Sequence, residues 1–206
     1  MASLFPDRRV VRAELDGMIV DAVFELNAGE HERRVAASMG ALSYLRLLRW
    51  LVDLPADRTY ADPALAATGL LPDGVVQWTA SGRLERLLEP PVVLDAVVVP
   101  AVGRAQTRHV RVAERFAPYA PRWVISGDPR VDASVLVAAS VRGVGLVTRW
   151  PEPEVIASAA PAVGRASPGV AWLLAEQVYG AWLEAGGPRA TRGTDIDAGA
   201  GLIQVS

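Results

Sequence analysis

Four arginines, Arg104, Arg108, Arg111 and Arg115, recur at steps of four, three and four, a spacing that sets them along one face of a single α-helix. Each guanidinium presents paired N–H donors to an oxyanion, so four along one edge suit contacts to phosphates. The same pattern also describes a solvated face whose arginines pair with acids from elsewhere in the fold. Residues 101–149 hold eight arginines against three acids in a chain of net charge -2, which makes this segment a basic island in an acidic protein. Phosphate contacts position a protein without reading base sequence.

What is missing narrows the chemistry further. All 21 residues counted as Lys+Arg are arginine, and there is no cysteine. That removes a Walker A lysine, a Schiff-base amine, a lysine completing a metal-dependent nuclease centre, a thiolate nucleophile and a cysteine zinc site. The two histidines, His31 and His109, are too far apart in sequence to show a metal-ligand spacing. Asp128 and Asp132, with Pro129 between, suit a turn and a helix N-cap more simply than a metal site. Ser126-Gly127-Asp128 at a strand end is a corner of the kind that binds nucleotides or metals, here without a glycine-rich phosphate loop. No catalytic residue, metal or cofactor is expected. On the last helix Trp172, Tyr179 and Trp182 recur at helical spacing, an aromatic stripe that forms core or, if left uncovered, an interface.

The elements that position these residues follow from hydropathy. A chain of 206 residues, 51% hydrophobic, can bury a real core in one compact domain. Within residues 1–54, segments 10–15 and 18–26 form a β-hairpin around Asp16-Gly17, and 30–52 forms one long amphipathic helix, or two broken near Gly40. Residues 55–91 read as a punctuated helical segment. Strands at 92–99, 122–126 and 144–148 alternate with helices at 104–116 and 131–141, so the fold is α/β, or α+β, with a mixed sheet and a strand-helix-strand-helix-strand unit at 92–148. A proline- and alanine-rich connection over 151–168 leads to a helix at 170–184, which closes the unit 92–186. Residues 187–206 form a Gly-, Thr- and Asp-containing tail expected to be flexible. The N-terminus, with Asp7, Arg8 and Arg9, does not read as a signal peptide, and the longest weakly charged run, 133–147, is shorter than the roughly 20 residues that span a bilayer. A cytoplasmic protein without a membrane segment is expected.

Two stretches resemble known families. Residues 122–147, with a strand ending in small residues, Asp132-Ala133 at a helix start, Val137-Ala138 and a strand from Gly143 to Val147, resemble the last strand-helix-strand of the restriction-endonuclease-like fold, notably its Mrr-type branch. In that family the strand before the arginine-bearing helix carries an acid, one intervening residue and a lysine that hold magnesium and polarise the attacking water. The matching stretch here is Val97-Val98-Val99-Pro100, and Asp95 alone cannot assemble such a site, so the resemblance implies a catalytically silent member. Residues 45–54, 58–78 and 83–88 look like the winged helix-turn-helix of bacterial regulators and AbiEi-type antitoxins. That likeness implies Gly69 at the turn, Val75 as buried anchor, and Gln77, Thr79 and Arg83 facing the major groove. Leu65 stands where the family has alanine, and Gly74 and Gly82 would weaken the reading helix by roughly 1 kcal/mol each relative to alanine.

The leading expectation is a non-catalytic DNA-associated protein, a regulator or defence component, that contacts phosphates of duplex DNA through Arg104, Arg108, Arg111 and Arg115. A second is a structural or assembly protein that forms a homo-oligomer or binds a protein partner through the Trp172, Tyr179 and Trp182 face. A third is a metal-dependent nuclease whose acids, such as Asp95 and Asp128, converge only in space.

Overall fold

The computed structural model describes residues 4–54, 74–78, 80, 84–149 and 152–187. Asp16 (φ 50°) and Gly17 (φ 72°) both occupy the left-handed region, as a two-residue hairpin turn requires, and the chain reverses from β1 (Arg9–Leu15) into β2 (Met18–Leu26) with Leu15 opposite Met18. The expected long helix is two helices, α1 (Ala28–Ala36) and α2 (Leu45–Asp53), separated by a loop that contains Gly40. Two short strands follow, β3 (Val76–Trp78) and β4 (Leu84–Arg86), paired antiparallel. Next come β5 (Val92–Ala101), α3 (Thr107–Glu114), β6 (Arg122–Ser126), α4 (Ala133–Arg142), β7 (Gly145–Thr148), β8 (Glu154–Ala157) and α5 (Pro168–Glu184). The mixed α/β architecture expected from the sequence is therefore present.

The main sheet has six strands in the order β1-β2-β5-β6-β7-β8. β5, β6 and β7 are mutually parallel, joined by α3 and α4, while the pairings at both margins are antiparallel. Period-two alternation divides the strands into two faces. Leu15, Val20, Phe24, Val97, Val99, Val124 and Leu146 pack against Val110 and Phe116, against Val135 and Ala139 of α4, and against Leu174 and Val178 of α5. The opposite face is smaller, with Val23, Val98, Ile125 and Val147 under Phe5 and Trp123. Leu47, Leu48 and Leu51 of α2 make a third cluster with Val75, Leu88 and Trp172.

Two expectations need correction. The 72–78 and 83–88 stretches were read as helical, yet the described part is the β3–β4 hairpin, whose flanking Val75 and Leu88 are fully buried against α2 and Trp172. Burying those two side chains decides the conformation over helix propensity. The 151–168 connection contains a strand, β8, which pairs with β7. Residues 55–73 and the tail beyond 187 lie outside the described residues.

α1 buries Glu30, His31 and Arg34 rather than an aliphatic stripe. The Arg34 guanidinium, fully buried, donates from Nη1 and Nη2 to Glu176 of α5 at 2.7 and 2.6 Å and from Nε to Glu30 at 2.6 Å. Glu176 also accepts from the Leu42 amide and from the Trp172 indole, so one carboxylate fixes α1, the α1–α2 loop and α5 together. Burial alone would lower the Arg34 pKa. The hydrogen bonds and charges of Glu176 and Glu30 outweigh it and hold the group above its ordinary value. Glu176→Ala leaves a buried cation with half its compensation, and unfolding in urea is expected to register a loss of about 3–5 kcal/mol. A loss below about 1 kcal/mol, the scale of an exposed pair, would contradict the clamp.

Candidate functional site

α3 begins where β5 ends. Ser126 Oγ, fully buried at the end of β6, accepts from the Ala105 amide and donates to the Asp128 carbonyl oxygen at 2.7 Å. The Gly127 amide donates to the carbonyls of Ala101 and Gly103, and any side chain at 127 would collide with the Val102 carbonyl oxygen. The Ser126-Gly127-Asp128 corner thus spends its polar atoms locking two loops, an internal role in place of a nucleotide or metal seat. Asp128 Oδ1 accepts from the Arg130 amide, which makes the expected turn. Asp132 stands at the N-cap of α4 without capping it, because its carboxylate accepts from Arg104 instead.

Val110 and Ala113 bury the inner side of α3, so Arg108, Arg111 and Arg115 line the opposite, outermost ridge. The helix expected over 104–116 covers only Thr107–Glu114, so Arg108 and Arg111 lie on it, Arg104 precedes its N-cap Gln106 and Arg115 is its C-cap, and the four predicted arginines are not equivalent. Arg104 is held by Asp132 at 3.1 Å and lies 3.9 Å from Asp128. Arg115 is paired with Asp16 of the hairpin turn. Arg108 and Arg111, both exposed, have no acidic partner among the described residues. Glu114, on the flank of the ridge, is engaged by Arg142 of α4 at 2.8 Å.

The remaining predicted site residues fall elsewhere. Gln77 lies on β3, where its amide donates to Glu85 on β4, so it does not project from a recognition helix; Thr79 and Arg83 are outside the described residues. Trp172 and Tyr179 are almost wholly buried, and Trp182 is half-buried against Phe24, His31 and Tyr179. Trp172 and Tyr179 of the aromatic stripe thus belong to the core, and Trp182 keeps part of its surface exposed. Asp95 sits at the irregularity between β2 and β5 and pairs with Arg8 at 3.0 Å; desolvation pushes its carboxyl up, and Arg8 partly offsets this. Asp21 on β2 is held by Arg12. Among the described residues no group of three or more His, Asp or Glu side chains could hold a metal ion, and no helix is long and apolar enough to cross a membrane.

Sequence reasoning missed two buried groups. Arg34 lies within the stretch expected as an amphipathic helix over 30–52, and Arg122 opens the strand expected over 122–126. Arg122 is buried and donates to the carbonyls of Arg142, Ala160 and Pro161, so it caps the C-terminal end of α4. A cleft of about 410 Å³ lies between the α1–α2 loop and α5, with Arg34 and Tyr179 at its floor. Those polar groups are already committed, Arg34 to its carboxylates and the Tyr179 hydroxyl to His31 Nδ1 at 3.0 Å. No protein-family model, curated protein or solved structure matches the chain.

The N-terminus of the arginine helix carries one titratable device. The Gln106 amide donates to His109 Nδ1 at 3.0 Å while the His109 amide donates to the Gln106 carbonyl at 2.9 Å, a cap on the first turn. Nδ1 accepts only when the imidazole is neutral with its proton on Nε2. Desolvation, then the charge of Arg108, lowers the His109 pKa below its ordinary 6.5. Because the folded value lies below the unfolded one, the stabilisation is complete above that ordinary value and is lost as pH falls towards the depressed one. An NMR titration of the imidazole is expected to give a pKa under 6.5, with His109→Gln flattening the stability profile between that value and 6.5. A midpoint at or above 6.5 would contradict the cap.

Proposed function

We propose that this is a non-catalytic nucleic-acid-associated protein that contacts phosphates through the outer ridge of α3. The observation that carries the reading is the pair Arg108 and Arg111, one turn apart, exposed and without an acidic partner among the described residues. Arg104 and Arg115, at the two ends of the ridge, are already matched by Asp132 and Asp16. They serve as supports that hold the ends of α3 rather than as primary contacts. A ridge with two guanidiniums that have no acidic partner among the described residues suits a weak, sequence-independent interaction whose affinity falls with salt as counterions return to the phosphates. The ion pairs Asp95–Arg8 and Asp21–Arg12 on the sheet favour a binding role over a hydrolytic one.

Fluorescence anisotropy with a short DNA duplex tests this. Wild-type affinity is expected to fall with rising salt, and Arg108→Gln with Arg111→Gln should reduce the logarithmic salt slope by about 2, roughly one per phosphate contact removed. Arg46→Gln with Arg165→Gln removes the same charge from exposed positions elsewhere and is expected to leave the slope near the wild-type value. Equal effects of the two double variants, or no binding at low salt, would reject the ridge as the contact.

A further inference from the structure

We infer that the outer surface shared by α3 and α4 docks an acidic amphipathic helix of a protein partner. The two helices follow the parallel strands β5 and β6 and run side by side in the same direction. Arg104–Asp132 ties their starts, and Glu114–Arg142 ties their ends. On α4, Val135 and Ala139 face the core, so Val137 and Val141, one turn apart, stand on the opposite side, 63% and 77% exposed. The outermost surface is therefore a cationic ridge, Arg108 and Arg111, parallel to an aliphatic ridge, Val137 and Val141. The axes of packed helices lie about 8–10 Å apart.

The chemistry of the two ridges selects the occupant. A phosphate backbone would use the guanidiniums and leave both valines in water. An α-helix about 10–12 Å across spans both ridges, and an apolar stripe flanked by carboxylates would cover the valines and neutralise the arginines at once. Because that partner and nucleic acid need the same two arginines, they exclude each other. The inference stands on the valines and does not depend on nucleic-acid binding.

The test uses the full chain and a fluorescein-labelled helical peptide of about 18 residues, roughly five turns, with a leucine stripe flanked by glutamates. Its controls are a composition-matched scramble and a lysine-for-glutamate counterpart. Anisotropy is expected to show binding of the designed peptide, weakened about tenfold or more by Val137→Asp with Val141→Asp and separately by Arg108→Gln with Arg111→Gln. Amide shifts should be confined to 104–115 and 133–142. Circular dichroism checks that the solvent-facing valine variant stays folded. Absence of binding, equal binding of the scramble, or full binding by the valine variant overturns the inference. So does pelleting with anionic phosphatidylglycerol vesicles that needs the valines while the peptide fails to bind. Duplex binding distinguishes the two readings, because it should survive the valine substitutions and fail only with the arginines.

Discussion

The contact on which the rest of the arrangement depends is the Arg34 guanidinium set between Glu176 and Glu30 with no exposure to water. A buried cation is tolerated only when carboxylates meet it in good geometry, and the bidentate approach to Glu176 supplies that. Since Glu176 also takes the Leu42 amide and the Trp172 indole, the position of α5 over the sheet is dictated by a polar contact as well as by its aliphatic face. Leu174 and Val178 belong to the same buried core as Phe116, which lies just beyond the end of α3. Such networks are weak evidence for extra stability and better evidence for a single allowed packing.

The same rule of local compensation runs through the sheet and its margins. Arg8 meets Glu25 and Asp95, Arg12 meets Asp21, Arg33 meets Glu30, and Arg122 donates from Nη1 and Nη2 to the carbonyls of Pro161 and Arg142. Arg108 and Arg111, like the exposed Arg46, Arg130, Arg149 and Arg165, have no acidic partner among the described residues, and they differ in standing one turn apart on a helix tied at both ends. The ties order the ridge, because a helix of eight residues has little stability of its own. The His109 cap adds a third restraint at the same end. A face built this way presents charge on a rigid support, which lowers the ordering cost of binding.

Much of this fold was legible in the sequence. Asp16-Gly17 specified its hairpin, the β-branched run from Val92 specified β5, and the alternation of strands with helices specified the parallel unit. The arginine ridge was readable because helical spacing is a local property. Its partial neutralisation was not, since Asp132 and Asp16 lie 28 and 99 residues from the arginines they meet. Arg34 escaped for the same reason: its partner Glu176 is 142 residues away, and nothing in a charged residue's own neighbourhood announces that it is buried. β8 was hidden because four residues in a proline-rich connection carry too little period to separate strand from loop. The β3–β4 hairpin was misread because a glycine-bearing stretch with Leu and Arg fits a helix in isolation, and only burial of Val75 and Leu88 decides otherwise.

On the proposed reading, Arg108 and Arg111 of α3, without an acidic partner among the described residues, are where this protein meets a polyanion. The most direct measurement follows the arginine Nε–Hε resonances by NMR while a short DNA duplex is titrated in at low salt. Arg108 and Arg111 are expected to shift most, Arg104 and Arg115 less, and Arg34 and Arg122 to stay in place. Shifts centred on other arginines, or none at saturating duplex, would contradict it.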